Sequence, residues 1–174
     1  MPLTIRFARR EDLEALFAVE SASFPPEQGA DRETIRRRLS AYPGHILAAV
    51  EGETLVGHIM GPVIAVPYIE DPMFGDEGCH SEDHPHQAVF SLAVLPKARG
   101  RGIGGRLLAA MAELARRQGR QSVTLTCLRE KVPYYARFGY EDRGVGASVH
   151  GGVPWHNMVL PLGAEKEVQD EDHP

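Results

Sequence analysis

The sequence predicts one globular domain of the α/β class, of the α+β type, in which helices flank a β-sheet. The chain has 174 residues, a length typical of one domain and short for two. Segments with the two-residue period of strands occur between segments with the 3.6-residue period of helices. Hydrophobic residues make up 43% of the chain and charged residues 25%, which excludes wholesale disorder.

The elements of the N-terminal half are predicted from apolar periodicity. In chain order they are a strand, two helices and two strands, over residues 3–8, 11–23, 32–41, 46–50 and 55–66. Pro25-Pro26 ends the first helix, because a proline disfavours the helical conformation of the residue before it. Asp31 can cap the second helix, and its Arg36, Arg37 and Arg38 are interpreted as a solvated face.

The C-terminal half contains the strongest helix. Here a strand, a helix, a strand, a short helix and a strand are predicted over residues 88–94, 104–118, 122–127, 132–138 and 156–160. In the strongest helix Leu107, Met111 and Leu114 recur at helical spacing and predict a buried face. The domain is assigned to residues 1–162, and the acidic residues 163–174 are predicted to be a disordered tail.

Charge and hydropathy exclude several function classes. The net charge of −5 argues against a domain that neutralises nucleic-acid phosphates, and no apolar segment is long enough to span a bilayer. Early charged residues exclude a signal peptide, and Cys79 and Cys127 are too few for a disulfide framework. We therefore expect a cytoplasmic protein without nucleic-acid or membrane partners. Its oligomeric state is left open, with a homodimer among the alternatives.

A glycine-rich turn from Arg99 to Gly105 leads from a predicted strand into the strongest helix. Glycines let a backbone approach a ligand closely, and a helix N-terminus favours a phosphate group. A dinucleotide fingerprint would need a carboxylate about twenty positions later, which residues 125–128 lack, and a P-loop would need Lys-Ser or Lys-Thr. Both are disfavoured, and a turn that only connects strand to helix remains an alternative.

The glycine-rich turn also matches the pattern of another kind of ligand-binding loop. Its Arg-x-x-Gly-x-Gly pattern, over Arg99 to Gly104, resembles the coenzyme A pyrophosphate loop of the GNAT acetyltransferase superfamily. The run VPYYARFGY, over residues 132–140, is similar to the segment that places a tyrosine beside the cofactor sulfur in these enzymes. Similarity to the arylalkylamine (serotonin) N-acetyltransferase branch comes from Glu20 with Phe24, Leu92-Ala93-Val94, and Cys127 with Pro133-Tyr134-Tyr135. The resemblance implies a mixed, mostly antiparallel sheet of about seven strands flanked by about four helices.

The resemblance also implies an activity and a site. It implies transfer of an acetyl group from acetyl-CoA to a primary amine, such as a small arylalkylamine, by direct attack in a ternary complex. Tyr135 would protonate the departing coenzyme A thiolate as general acid, and Phe24, Pro25 and Phe90 would line the acceptor pocket. Residues 148–156 could close its other side. The residues implied to bind acetyl-CoA are Leu92, Ala93, Val94, Arg99, Gly100, Arg101, Gly102, Ile103, Gly104 and Gly105.

The general base is not identified by the resemblance. Two histidines that the arylalkylamine enzymes carry on the central strand are replaced here by Ala88 and Phe90, which leaves His84, His86 and Glu20 as candidates. Two other functions stay open. One is acetylation of a protein N-terminus or lysine, which needs an open groove, and the other is a coenzyme A-binding sensor without catalysis.

Residues 67–87 differ from the rest of the chain, because prolines and glycines alternate with acidic residues and histidines. This composition predicts a long, solvated and mobile substrate lid whose negative charge attracts a cationic amine. The spacing of its histidines, cysteine and acidic residues fits no established zinc pattern. No metal site is therefore predicted.

Overall fold

The computed structural model describes residues 2–147 and 152–163, and this part of the chain contains both helices and strands. The helices in this part of the chain are α1 (Leu13–Ser23), α2 (Arg32–Ala41), α3 (Ile103–Arg117) and α4 (Val132–Ala136). The strands are β1 (Leu3–Phe7), β2 (Ile46–Glu51), β3 (Thr54–Met60), β4 (Val63–Ile64), β5 (His86–Ala88), β6 (Ser91–Val94), β7 (Ser122–Cys127), β8 (Glu141–Val145) and β9 (His156–Pro161). The predicted fold class is confirmed, with two sheets where one was expected. The predicted boundary at residue 162 cannot be compared, because residues 164–174 of the expected tail lie outside the described residues.

The first sheet is antiparallel, in the order β1-β2-β3-β6, and it is covered on both faces. On β2, Leu47 and Ala49 pack in one cluster with the buried face of α3. The alternate residues Ala48 and Val50 pack in a second cluster with α1 and α2. Because successive side chains of a strand point to opposite faces, burial of both faces explains the unbroken apolar run of β2.

The second sheet has the order β4-β5-β7-β9-β8, and it contains one parallel pair, β5 with β7. The strand predicted over 88–94 is divided between the two sheets. The Val89 N–H donates to the Thr124 carbonyl at 2.9 Å, whereas the Phe90 N–H donates to the Met60 carbonyl at 2.8 Å. After this point β6 pairs with β3, so that β6 and β7 separate.

The strand predicted over 55–66 is also divided, at Gly61-Pro62, into β3 and β4. Pro62 has no N–H to donate, and its carbonyl accepts the Ala88 N–H at 2.9 Å. At Gly61 a Cβ atom would overlap the Ala88 carbonyl oxygen and lie 3.0 Å from the Phe90 nitrogen. A glycine therefore permits the close approach of two strands where the sheets divide.

The segment before β5 is folded onto the sheet. Two 3-10 turns, Asp71–Gly75 and Glu77–Cys79, bring Phe74 into an apolar cluster with Ile64 and Phe90. The loop is therefore solvated on its polar side, where residues such as Glu70, Asp76 and Asp83 are exposed, and packed on its apolar side. The expected mobility stays a prediction.

Gly61→Ala is expected to lower the free energy of unfolding by about 1–3 kcal/mol, because the added methyl group meets backbone that cannot move independently. Gly44→Ala is the matched control, since no atom lies within 4 Å of a Cβ at that position. Its expected change is below about 0.5 kcal/mol. Urea denaturation measures both, and equal midpoints for the two variants would contradict the prediction.

Candidate active site

A cavity of about 1310 Å³ opens where the two sheets separate. Leu92, Ala93 and Val94 of β6 line one side, and residues 125–127 of β7 line the other. The edge of β6 that faces β7 has no strand partner among the described residues, and the pairing of β7 with β5 ends at Thr124. Backbone groups of both strands on the cavity side are therefore available to a ligand. All three β6 residues predicted to bind the cofactor therefore lie on the cavity.

The glycine-rich turn forms one end of the cavity. Gly100 and Gly102 have φ angles of 78° and 77°, and no atom lies within 4 Å of a Cβ at either position. Helix α3 begins directly afterwards, at Ile103, and the first N–H groups of a helix have no partner within it. Besides Arg38, four exposed cationic residues line the cavity: Arg99, Arg106, Lys131 and Arg137. Open backbone, a helix N-terminus and positive charge together suit a phosphate-bearing ligand.

Arg101 is the exception among the predicted cofactor residues. Its guanidinium forms an ion pair with Glu51 and is not part of the cavity lining. The turn directs this side chain toward the end of β2, and the backbone N–H of Arg101 stays a predicted contact of the pyrophosphate.

Two further glycines of the turn permit close helix packing. A Cβ on Gly104 would lie 2.7 Å from the Tyr134 hydroxyl, and a Cβ on Gly105 would lie 2.8 Å from the Phe138 ring. Both glycines also line the cavity. Their small size lets the segment that carries α4 pack against the start of α3, which fixes the tyrosine pair beside the turn.

Tyr135 lines the cavity together with Cys127 of β7 and residues of β6. Burial, and to a smaller extent the neighbouring Cys127 and Tyr134, raises the pKa of Tyr135 above its ordinary value. The phenol therefore keeps its proton at neutral pH, as a general acid requires. Burial also raises the pKa of the Cys127 thiol to about 11, which argues against a thiolate nucleophile.

Aromatic side chains line the end of the cavity beyond Tyr135. They are Phe24, Phe74, Phe90 and Trp155. Pro25, predicted to lie here, is exposed and absent from the lining. Its carbonyl instead accepts the N–H groups of Gln28 and Gly29, both at 2.9 Å, so its role is to form the turn after α1. Of residues 148–156, the part 148–151 lies outside the described residues.

Glu20 is the one candidate base that the structure brings to the cavity. It is 3% exposed, accepts the Ser91 hydroxyl at 2.6 Å and accepts the Ala30 N–H at 2.9 Å. Burial acts to raise the pKa of Glu20, but the interactions with His58, Ala30 and Ser91 outweigh it and lower the pKa. His58, which is fully buried, has Nε2 3.2 Å from the carboxylate, although the angle is poor for a hydrogen bond.

The two histidine candidates lie elsewhere. His86 Nδ1 is 2.7 Å from the Ser122 hydroxyl, and His84 Nδ1 is 3.2 Å from the Val63 carbonyl. Neither ring lines the cavity, because both precede the point where the sheets separate. A direct role for these histidines at the cavity is therefore not supported by their positions.

Two buried residues near the aromatic end of the cavity were missed by the sequence interpretation. His58 lies within β3 and pairs across the sheet with Ala93, where the pattern shows only an apolar strand. Arg38, interpreted as solvated, is 4% exposed and lines the cavity. The spacing of Ile35, Arg38 and Leu39 is the i, i+3, i+4 pattern of one buried helix face, and this signal could have identified it.

Outside the cavity, His45, His80 and Glu82 lie within ligand distance of one another. Glu82 carboxylate oxygens are 2.8 Å from His45 Nε2 and 3.0 Å from His80 Nε2. The Val63 N–H donates to His80 Nδ1 at 2.9 Å, so the neutral ring carries its proton on Nε2. That nitrogen donates to Glu82 and has no lone pair for a metal. These hydrogen bonds connect the loop to the segment that leads into β2, and we call the cluster of His45, His80 and Glu82 the latch.

Residues 10–140 match the sequence profile of the Acetyltransferase (GNAT) family. Since this range covers most of the chain, the protein belongs to that family, and the predicted superfamily is confirmed. The chain is 38% identical over 62 residues to the probable glucosamine 6-phosphate N-acetyltransferase 2 of Oryza sativa subsp. japonica. This match covers 36% of the chain and 37% of that relative's length, so the chain is matched to only a part of it.

Solved structures show the same fold. The loading GNATL domain of CurA from Lyngbya majuscula is 17% identical with a TM-score of 0.80, over 93% of this chain and 98% of that one. A GNAT family acetyltransferase from Brucella melitensis, in complex with acetyl-CoA, is 22% identical with a TM-score of 0.63, over 93% and 89%. Among the described helices, none is long and apolar enough to cross a bilayer.

Gly102→Ala is expected to weaken acetyl-CoA binding at least about tenfold, because the new methyl group occupies open space on the cavity side of the turn. Gly119→Ala is the control, since Gly119 also has a positive φ of 75° and open space but does not line the cavity. Both variants carry a similar backbone penalty of about 1–2 kcal/mol. Calorimetry that gives both variants the wild-type affinity would contradict this placement.

The latch yields a pH prediction. Burial acts to raise the pKa of Glu82, but the hydrogen bonds from His45 and His80 lower it overall. Because the pKa of Glu82 is lower in the folded protein, its ionised carboxylate stabilises the folded state at pH values above the ordinary pKa of a glutamate. This contribution is lost as the pH falls through the pKa of Glu82 in the folded protein. Glu82→Gln is expected to lower the Tm at neutral pH, and the difference should narrow below about pH 4.

The same latch should be independent of metal. EDTA is expected to leave the Tm and the activity of the purified protein unchanged. A stoichiometric metal that survives purification, and whose removal lowers the Tm, would contradict the hydrogen-bonded interpretation.

Proposed function

We propose that the protein is an N-acetyltransferase that moves the acetyl group of acetyl-CoA to the primary amine of a small molecule, by direct attack in a ternary complex. The observation that carries the proposal is the cavity between β6 and β7, which is lined by both the glycine-rich turn and a group of aromatic side chains. An elongated donor along β6 would place its phosphates at the turn and its thioester near Tyr135.

In this reaction acetyl-CoA supplies an activated acetyl group. The amine nitrogen attacks the thioester carbonyl carbon, the N–C bond forms, and the C–S bond breaks to release coenzyme A as a thiolate. Tyr135 gives its phenolic proton to that sulfur. The nitrogen loses its second proton to solvent as the amide forms, and solvent returns a proton to the Tyr135 phenolate. The raised pKa of Tyr135 supports this role, because the proton is present before the attack.

Glu20 is proposed to receive the proton that the alkylammonium loses, through a bridging water. Its lowered pKa keeps the carboxylate ionised at neutral pH, so it attracts the cationic amine although it is a weak base. The neighbouring His58, whose Nε2 lies 3.2 Å from Glu20 Oε1, helps to keep the carboxylate ionised. This pair would replace the histidines that are absent at Ala88 and Phe90.

The shape of the acceptor end supports a small acceptor over a peptide. Phe74 and Gly75 from the loop, and the segment after α1, line this end, where a peptide substrate would need an open groove. The aromatic lining suits the ring or apolar body of an arylalkylamine, and the relative from Oryza sativa is named for an amino sugar phosphate. Tyr135 favours an enzyme over a coenzyme A sensor. Cytoplasmic location and a homodimer stay predictions.

Tyr135→Phe is expected to lower kcat about a hundredfold or more while the acetyl-CoA affinity changes little, because only the hydroxyl is removed. Release of the coenzyme A thiol with a panel of amines and peptides measures the rate. Tyr140→Phe is the matched control, since the Tyr140 hydroxyl is buried, has no hydrogen-bond partner among the described residues and does not line the cavity.

Unchanged turnover of Tyr135→Phe, under conditions in which chemistry limits the rate, would contradict its role as acid. Absence of thiol release with every amine would contradict the transferase itself. Turnover with peptides but not with small amines would show that the acceptor is a protein and not a small molecule.

A further inference from the structure

Arg38 is a buried cation without a counter-anion. It lies on α2, is 4% exposed, and no carboxylate oxygen of the described residues lies within 4.0 Å of its guanidinium nitrogens. Its neighbours on the same helix, Arg36 and Arg37, are paired with Glu33 and Glu77. A buried charge is costly unless it is paired and hydrogen-bonded, so Arg38 lacks what its neighbours have.

The contacts that Arg38 does make are weak. One nitrogen is 3.7 Å from the Met60 sulfur, another is 3.5 Å from the Phe74 carbonyl, and the Nε atom is buried without a partner. The guanidinium also lies over the Phe90 ring, 5.3 Å from its centroid. A guanidinium has five N–H donors in a planar fork that matches an oxyanion, and most of them are left unused here.

Three acidic residues line the cavity, and none of them forms an ion pair with Arg38 within 4.0 Å. Asp31 accepts the Thr34 N–H at 2.8 Å as the cap of α2, and its charge interacts with Arg38 only at longer range. Glu20 is held by Ser91 and Ala30, and Glu27 is exposed. A direct partner of the guanidinium is therefore not supplied by these side chains.

The position of Arg38 separates it from the phosphates of the donor. Phe90 lies at the point where the sheets separate, and Val94 lies four residues further along, about 13 Å away at the rise of a strand. The glycine-rich turn follows Val94. An anion at Arg38 therefore belongs to the acceptor and not to the pyrophosphate of coenzyme A.

We propose that Arg38 binds an oxyanion, either a carboxylate or a phosphate, carried by the acceptor remote from its amine. This inference rests on the proposed function and narrows it to an amine whose body is apolar or ring-shaped and whose far end is negatively charged. Glu20 would hold the ammonium end and Arg38 the oxyanion end, so the two charges orient the acceptor toward the thioester. The Phe90 ring lies beside Arg38 and also lines the cavity, so the body of the molecule would pack on it.

The test compares amines that differ only in the anion: tyrosine with tyramine, and glucosamine 6-phosphate with glucosamine. In the wild type, at least one anionic member is expected to exceed its neutral partner about tenfold or more in kcat/KM. Arg38→Gln is expected to lower that ratio about thirtyfold or more, and Arg38→Lys less. Arg36→Gln, an exposed change on the same helix, should keep the wild-type ratio. A larger ratio for tyrosine over tyramine identifies the oxyanion as a carboxylate, and a larger ratio for glucosamine 6-phosphate over glucosamine identifies it as a phosphate.

A ratio near one for both pairs in the wild type, or the same ratio in Arg38→Gln as in the wild type, overturns the oxyanion site. Should Arg38→Gln fail to fold, inhibition of the wild type decides. Phenyl phosphate or 3-phenylpropionate is expected to compete with the amine and not with acetyl-CoA, and 3-phenylpropanol is expected to inhibit at least tenfold less. Competition against acetyl-CoA alone overturns the site.

Failure of the transferase is distinguishable from failure of this site. If no amine releases thiol, the proposed function fails, and the oxyanion is tested by thermal shift. Phenyl phosphate is then expected to raise the Tm of the acetyl-CoA-loaded wild type and not that of Arg38→Gln. An equal shift in both proteins places the anion elsewhere and overturns the inference.

Discussion

The architecture depends on the point at which one strand stops pairing with β7. Successive N–H groups of a strand point to opposite sides. Those of Ala88 and Phe90 donate to the Pro62 and Met60 carbonyls on one side, and that of Val89 donates to the Thr124 carbonyl of β7 on the other. Beyond Val89 the chain continues as β6, which pairs with β3, and its other side has no strand partner among the described residues. The edges of β6 and β7 then diverge, and the cavity is the space between them. Gly61 permits the close pairing at this point, because the backbone around Ala88 leaves no room for a side chain there.

The other parts of the cavity are arranged around this divergence. Helix α3 follows β6 directly after the glycine-rich turn, so its N-terminus faces the space that β6 lines. Gly104 and Gly105 admit Tyr134 and Phe138 at distances that a Cβ would not allow. The same packing positions Tyr135 beside the cavity, and burial there raises its pKa. The glycine-rich turn, residues 99–105, thus has two roles. It lines the cavity, and it allows close packing of the segment that carries α4.

Charge is distributed unevenly along the cavity. Four cationic side chains lie toward the glycine-rich turn, where the site is open to solvent and a surface charge costs little. At the aromatic end there are two buried groups, Glu20 and Arg38, which differ in how they are satisfied. Glu20 accepts two hydrogen bonds, whereas Arg38 has a buried Nε without a partner. A polar group that is desolvated and unpaired is a stronger sign of ligand chemistry than a solvated one.

The sequence by itself determined the local elements and the glycine-rich turn. Helix α2 and strand β7 have the predicted bounds, since capping by Asp31 and apolar periodicity act within a few residues. Only the tertiary structure decided the division of residues 88–94 between two sheets, the burial of Arg38 and the latch of His45 with Glu82. Each of these depends on segments far apart in the chain, such as Phe90 with Met60 or Arg38 with Phe74. Periodicity predicts which face of an element is buried, but the partner that covers it is set by packing and backbone pairing between distant segments.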